Sequence, residues 1–146
     1  MRPTSSLLVG NKMDSNILAI TPVFFSGIIV GMIFFHAGII APSLFKTISS
    51  AEAGPFLRVI FPKLFMLVLI LGATSTLILF ASGGSMVAKM ASIITTAFMF
   101  ICYSIIPATN AAKDTGNEST FNRLHRISVV FTVIVLLLNI LWVFLI

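Results

Sequence analysis

The chain has 146 residues, 58% of them hydrophobic and 9% charged, with nine Lys or Arg against four Asp or Glu. A water-soluble domain of this size needs far more polar surface to cover its core. The net charge of +5 is scattered between apolar runs, a pattern that reports membrane topology and argues against a nucleic-acid partner.

The charges mark out four gaps. No Asp, Glu, Lys or Arg occurs between Asp14 and Lys46, between Lys63 and Lys89, between Lys89 and Lys113, or after Arg126. Each gap is long enough for the roughly 20 helical residues that cross a hydrocarbon core of about 30 Å. Backbone groups in lipid must be paired within their own segment, so each gap reads as a helix. The expected fold is an all-α membrane protein, four transmembrane helices in an antiparallel bundle. Residues 1–16 form a polar N-terminal arm and residues 17–146 a single transmembrane domain.

Helix 1 is expected from Ile17, with Pro22 in its first turns. The apolar run reaches beyond Ile40, too long for the 7–15-residue core of a signal peptide. Gly27, Gly31 and Gly38 fall within about 40° of one another around the helix, and Gly27-x-x-x-Gly31 is a spacing that lets helices approach closely in lipid. The favoured use of this stripe is packing inside the bundle. Pro42 is expected to end or kink the helix. A polar connector, Lys46 to Gly54, follows, with Ser49 or Ser50 as a candidate cap.

Helix 2 is expected to open between Pro55 and Phe61, with Pro62 in its first turns, and to reach about Ala81. Gly72, Thr76 and Gly83 share one of its faces. Ser82-Gly83-Gly84-Ser85 signals a tight turn into helix 3, which runs from about Met86 until Pro107 stops it. Residues 108–119 form the most polar loop. Helix 4 then starts near Ser119 or Thr120 and runs to the end, placing Trp142 as an interfacial residue.

Connectors 1–2 and 3–4 carry six cations and the opposite side three. Cation-rich loops stay in the cytoplasm, so both termini are expected outside, most simply in a bacterial inner membrane.

Candidate functional residues gather at the rim made by those connectors: His36, Pro42, Arg58, Phe61, Pro62, Arg123 and His125. Pro62 cannot donate a backbone hydrogen bond, so Arg123 or His125 is expected to bond the backbone around Val59–Pro62 or to stack on Phe61. His125, Ser128, Thr132 and Asn139 lie within about 60° of one another down helix 4. A polar stripe on a spanning helix faces protein or water, either bonding neighbouring helices or lining a pathway.

His36 and His125 sit on different helices at similar depth, the minimum for bis-histidine ligation of haem b. A metal site is not expected, because it would want three protein ligands and the spans carry no carboxylate. The lone Cys102 rules out an internal disulfide. Nucleophile, phosphate-loop and zinc-protease signatures are absent, which points away from an enzyme.

Three segments carry a family resemblance: Pro42-Ser-Leu-Phe45, Ile60-Phe61-Pro62-Lys-Leu-Phe65, and Phe121-Asn-Arg123-Leu-His125-Arg-Ile-Ser128. Together they resemble small bacterial four-helix membrane proteins of a domain-of-unknown-function family that also contains eukaryotic transmembrane protein 205. The resemblance covers most of the chain from helix 1 onward and implies an integral membrane protein without an established enzymatic activity. A more distant likeness is to small multi-span proteins of copper resistance and haem synthesis.

The leading expectation is a non-enzymatic accessory or solute-handling protein. Its expected partners are the lipid bilayer and other membrane subunits. The rivals are a haem-binding redox subunit and a permease or metal-compound exporter.

Overall fold

The apolar gaps become four rods. The computed structural model describes residues 5–145, with side chains for residues 16–49 and 52–145. Four helical stretches are long and apolar enough to cross a membrane: Asn16–Thr47, Glu52–Ala81, Met86–Asp114 and Glu118–Phe144. At 1.5 Å per residue each is about 40 Å or longer, so every helix projects beyond the hydrocarbon on at least one side. The described residues contain no strand. This is an all-α, four-helix membrane protein.

The first rod starts earlier than its sequence suggests and does not stop at its proline. Helix α1 spans Ser5–Phe35, so part of the expected arm is helical and Pro22 lies deep inside the helix, fully buried. A π-helical segment, His36–Ile40, follows, and helix α2, Ala41–Thr47, completes the rod. Pro42 falls in the first turn of α2, where its missing N–H costs least. The widened turn just before it, closed by a bond from the Ala41 N–H to the His36 carbonyl, gives the ring room without ending the helix.

The connector after α2 is short because helix α3, Ser50–Ala81, begins before both of its prolines. Ser49 is the cap. Its hydroxyl accepts from the Glu52 N–H at 3.4 Å, and the Glu52 carboxylate accepts from the Ser49 N–H at 3.1 Å. This reciprocal capping box, rather than Pro55, sets the start.

At the far end Gly83 adopts φ +69°, and the Gly84 N–H bonds the Leu79 carbonyl at 2.9 Å. That bond closes the helix and turns the chain, and the positive φ is why glycine stands there. Ser85 then caps helix α4, Met86–Ser104.

Pro107 does not stop the third rod either. The chain breaks for one residue at Ile105 and resumes as helix α5, Ile106–Asp114, with Pro107 in its first turn. The expected loop is therefore mostly helix. Gly116 (φ +69°) and Asn117 end α5, with the Asn117 N–H on the Ala112 carbonyl at 2.9 Å. The Asn117 side chain caps helix α6, Glu118–Leu141, and a 3₁₀ turn over Trp142–Phe144 follows.

The rods pack as a ring in which α1 meets α3, α3 meets α4, α4 meets α6, and α6 returns to α1. Neighbours in the ring run antiparallel. The α2–α3 and α5–α6 connectors therefore share one end, the basic rim, while the Ser82–Ser85 turn marks the other.

Outside, large apolar side chains such as Phe24, Phe34, Leu77, Phe80 and Phe100 are more than half exposed, as lipid-facing residues are. Inside, the layers alternate. Ile29, Ile33, Leu64, Phe65, Val68, Met99, Cys102 and Val135 fill the half towards the rim. Leu79, Ala88, Ala91 and Trp142 form a smaller cluster near the turn.

Candidate functional site

Between the two apolar layers lies a buried polar one. Trp142 Nε1 donates to Ser26 Oγ at 2.9 Å, and that hydroxyl donates to Asn139 Oδ1 at 2.9 Å. Asn139 Nδ2 donates onward to Thr95 Oγ1 at 2.8 Å and back to the Val135 carbonyl at 2.9 Å. This relay ties α1, α4 and α6 together. All four side chains are at most 5% exposed.

In such surroundings an unpaired donor or acceptor costs more than the bond contributes, so the relay fixes which faces meet. Helix α3 joins the layer through small residues. A Cβ on Gly72 would lie 3.0 Å from both Thr95 Cγ2 and Thr96 Oγ1, so glycine permits the close approach of α3 and α4. Ser75 is also buried here, and its hydroxyl has no partner among the described residues.

The remaining space beside the relay is a cavity of about 10 Å³, lined by Ser26, Ser75, Thr95 and Asn139 among others. That is near the lower bound for one water molecule, and far below a drug-sized site of several hundred Å³. An apolar cluster packs on its rim side, and the Leu79–Trp142 cluster on its turn side.

The polar stripe of helix 4 therefore divides. Asn139 bonds across helices, whereas Ser128 and Thr132 donate to carbonyls of their own helix, Leu124 at 3.3 Å and Ser128 at 2.7 Å. Trp142 is a buried donor, turned into the bundle. The glycine stripe of helix 1 is reversed as well. Gly27, Gly31 and Gly38 are exposed, and a Cβ on any of them would meet nothing within 4 Å. Packing inside the bundle is done by Gly72 instead.

At the rim, His36 is buried, and Phe61 lies edge-on to its ring at 4.8 Å. Its Nε2 has no hydrogen-bond partner among the described residues. His125 is exposed and stacks on Phe121 of its own helix at 5.8 Å, while Lys113 Nζ lies 4.8 Å above that phenylalanine. Each histidine is thus engaged with its own phenylalanine. Among the described residues, no three of His, Cys, Asp and Glu gather as a metal site would require.

Arg58 reaches across to α5, where Asp114 accepts both of its terminal nitrogens, at 3.2 and 2.5 Å. Lys113 pairs with Glu118 at 3.1 Å. The expected meeting of Arg123 or His125 with residues 59–62 does not occur among the described hydrogen bonds, and Phe61 packs with His36 and Phe65 instead. The reason is topological: α3 and α6 stand diagonally in the ring, so α5, folded over the rim, supplies Arg58 with its partner.

Pro62 is half-buried inside α3 and Pro42 is exposed. Arg123 and Arg126 line a groove on α6 with Ser119, Asn122, Ile127, Val130 and Phe131.

The sequence reading passed over Ser26, Thr95 and Asp114. Ser26 and Thr95 are short hydroxyls in apolar runs; both bond Asn139, and Ser26 also bonds the chain's single Trp, and those two residues are the available signal. In comparisons with known proteins, no family model, curated protein or solved structure matches this chain.

Proposed function

We propose that this chain is a non-enzymatic accessory protein of a bacterial inner membrane, acting through its outer helix faces rather than through its interior. The observation that carries this reading is the layered interior. Among the described residues its polar layer lies between apolar clusters, and the space beside it is about 10 Å³. A permease or exporter needs a continuous polar route, so this packing favours the accessory role over passage of a solute.

The reading includes an orientation with both termini outside, supported by the excess of Lys and Arg on the two connectors. It also places the chain with the transmembrane protein 205-like proteins, on the Phe61-Pro62 and Phe121-to-Ser128 segments. The outward glycines of helix 1 would allow another membrane helix to approach closely.

Two measurements test it together. Proteoliposomes should pass protons and potassium ions no faster than empty vesicles. In native membranes, a photo-reactive residue at Gly31 should give a discrete protein adduct, whereas one at lipid-facing Leu77 should give lipid adducts only. Ion flux above background that changes on Thr95→Val would reject the accessory reading.

A further inference from the structure

The groove on α6 has a use that the accessory reading does not require. It is a shallow, largely open depression of about 580 Å³ along one face of the helix, facing away from the bundle. Its upper end, at the basic rim, carries Arg123 and Arg126 one turn apart with Asn122 beside them. Its lower end is apolar, with Ile127, Val130 and Phe131. Phe131 is held in place from behind by stacking on Phe98 of α4, with ring centroids 4.1 Å apart and planes 15° from parallel. From Asn122 to Phe131 the helix rises about 14 Å, enough to pass from the headgroup zone into the acyl region.

Among the described residues, the charge at the upper end has no carboxylate partner. Asp114 is taken by Arg58, Glu118 by Lys113, and Glu52 by the Ser49 cap. Neither Arg123 nor Arg126 has a carboxylate within 4.0 Å among the described residues. Guanidinium groups bind phosphate oxygens through paired, charge-assisted hydrogen bonds. Two of them above an apolar trough match a molecule with a phosphate at one end and a hydrocarbon chain at the other.

We infer that the groove is a binding site for one anionic phospholipid of the leaflet on the basic-rim side, its phosphate on Arg123 and Arg126 and an acyl chain along Ile127, Val130 and Phe131. A free phosphate would use only the upper half. A zwitterionic lipid would bring a cation beside two arginines, and each basic residue near the surface favours anionic lipid.

The test uses purified protein in mild detergent. Phosphatidylglycerol and phosphatidylcholine of identical chains are added in equal amounts, and bound lipid is read by native mass spectrometry. The wild type should retain one phosphatidylglycerol in preference to phosphatidylcholine by roughly tenfold or more. Arg123→Gln with Arg126→Gln should abolish the preference, and Lys46→Gln, outside the groove, should keep it. Val130→Trp should fill the trough and reduce retention of both lipids, which keeps the test decisive if the double variant fails to fold. Equal retention of the two lipids by the wild type would overturn the proposal, as would an unchanged preference in the folded double variant. Displacement of phosphatidylglycerol by millimolar inorganic phosphate would reduce the site to an anion site and reject the lipid.

Discussion

Trp142, at the end of the last helix, donates its indole hydrogen to Ser26 in the first, 2.9 Å away, and so closes the ring of four helices. The same serine passes the bond to Asn139, which passes it to Thr95. Every hydroxyl in that series serves as donor or acceptor to a side chain from another helix. Removing the middle of the series should therefore cost more than removing its outer members. Asn139→Leu leaves Ser26 and Thr95 each short of a partner in a dry interior, and should destabilise the bundle by about 1–3 kcal/mol. Ser128→Ala and Thr132→Ala remove only bonds to their own helix and should have small effects. Thermal or denaturant unfolding in detergent would rank the three, and similar losses would show that the relay is not what holds the ring.

Glycines test the packing in opposite directions. Gly72 faces Thr95 and Thr96 so closely that even a methyl group must push them, by 3.0 Å contacts on both. Gly72→Val should lower the melting temperature and loosen the α3–α4 contact. Gly27→Ala and Gly31→Ala meet open space, and should be neutral or slightly stabilising in the isolated protein because alanine favours helix by about 1 kcal/mol over glycine. Destabilisation by Gly31→Ala in the purified chain would place that face inside the bundle after all.

The contrast shows what the sequence could carry. Four spans were legible because charge gaps and span length are enforced by the bilayer whatever the neighbours are. Helical angle grouped Gly27, Gly31 and Gly38 correctly but could not say whether that face looked in or out, since both lipid and protein interior are apolar. The same ambiguity let Asn139 be found while its partners, Ser26 and Thr95, were missed. Pro42 and Pro107 do mark interruptions of the α-helix, a π segment and a one-residue break, but helix resumes beyond each, which proline alone does not reveal. Arg58 was placed at the rim, but its pairing with Asp114 depends on α5 folding back as a helix, which turn propensities alone did not reveal.

His36 offers an independent check. It is 6% exposed, with Nε2 unpartnered among the described residues and Phe61 against its ring. A buried polar atom without a bond is a liability, so His36→Leu should leave stability unchanged or raise it. A fall in melting temperature in the purified protein would instead reveal a hydrogen bond or ligand on that ring.

The Arg58–Asp114 pair bridges α3 and α5 at the surface, with side chains 39% and 58% exposed. Asp114→Asn should have a small effect that shrinks further with added salt, because exposed pairs are screened. Exchange of the two residues, Arg58→Asp with Asp114→Arg, should recover whatever the single change loses. A large salt-independent loss would mean that α5 is held over the rim by this contact alone.

The closed interior is the central claim, and the chain carries its own probe for it. Cys102 is fully buried in the rim-side apolar layer, its thiol directed at the Ser128 carbonyl at 3.9 Å. Only a thiolate in contact with water reacts readily with a charged methanethiosulfonate reagent. In intact proteoliposomes Cys102 should stay unmodified from either side, while a Cys102→Ala, Ser85→Cys protein reacts at once and unfolding in SDS exposes Cys102 fully. Modification of Cys102 in the folded protein at a rate comparable with that of the Ser85→Cys control would mean that water crosses the apolar layer, and would contradict a sealed bundle.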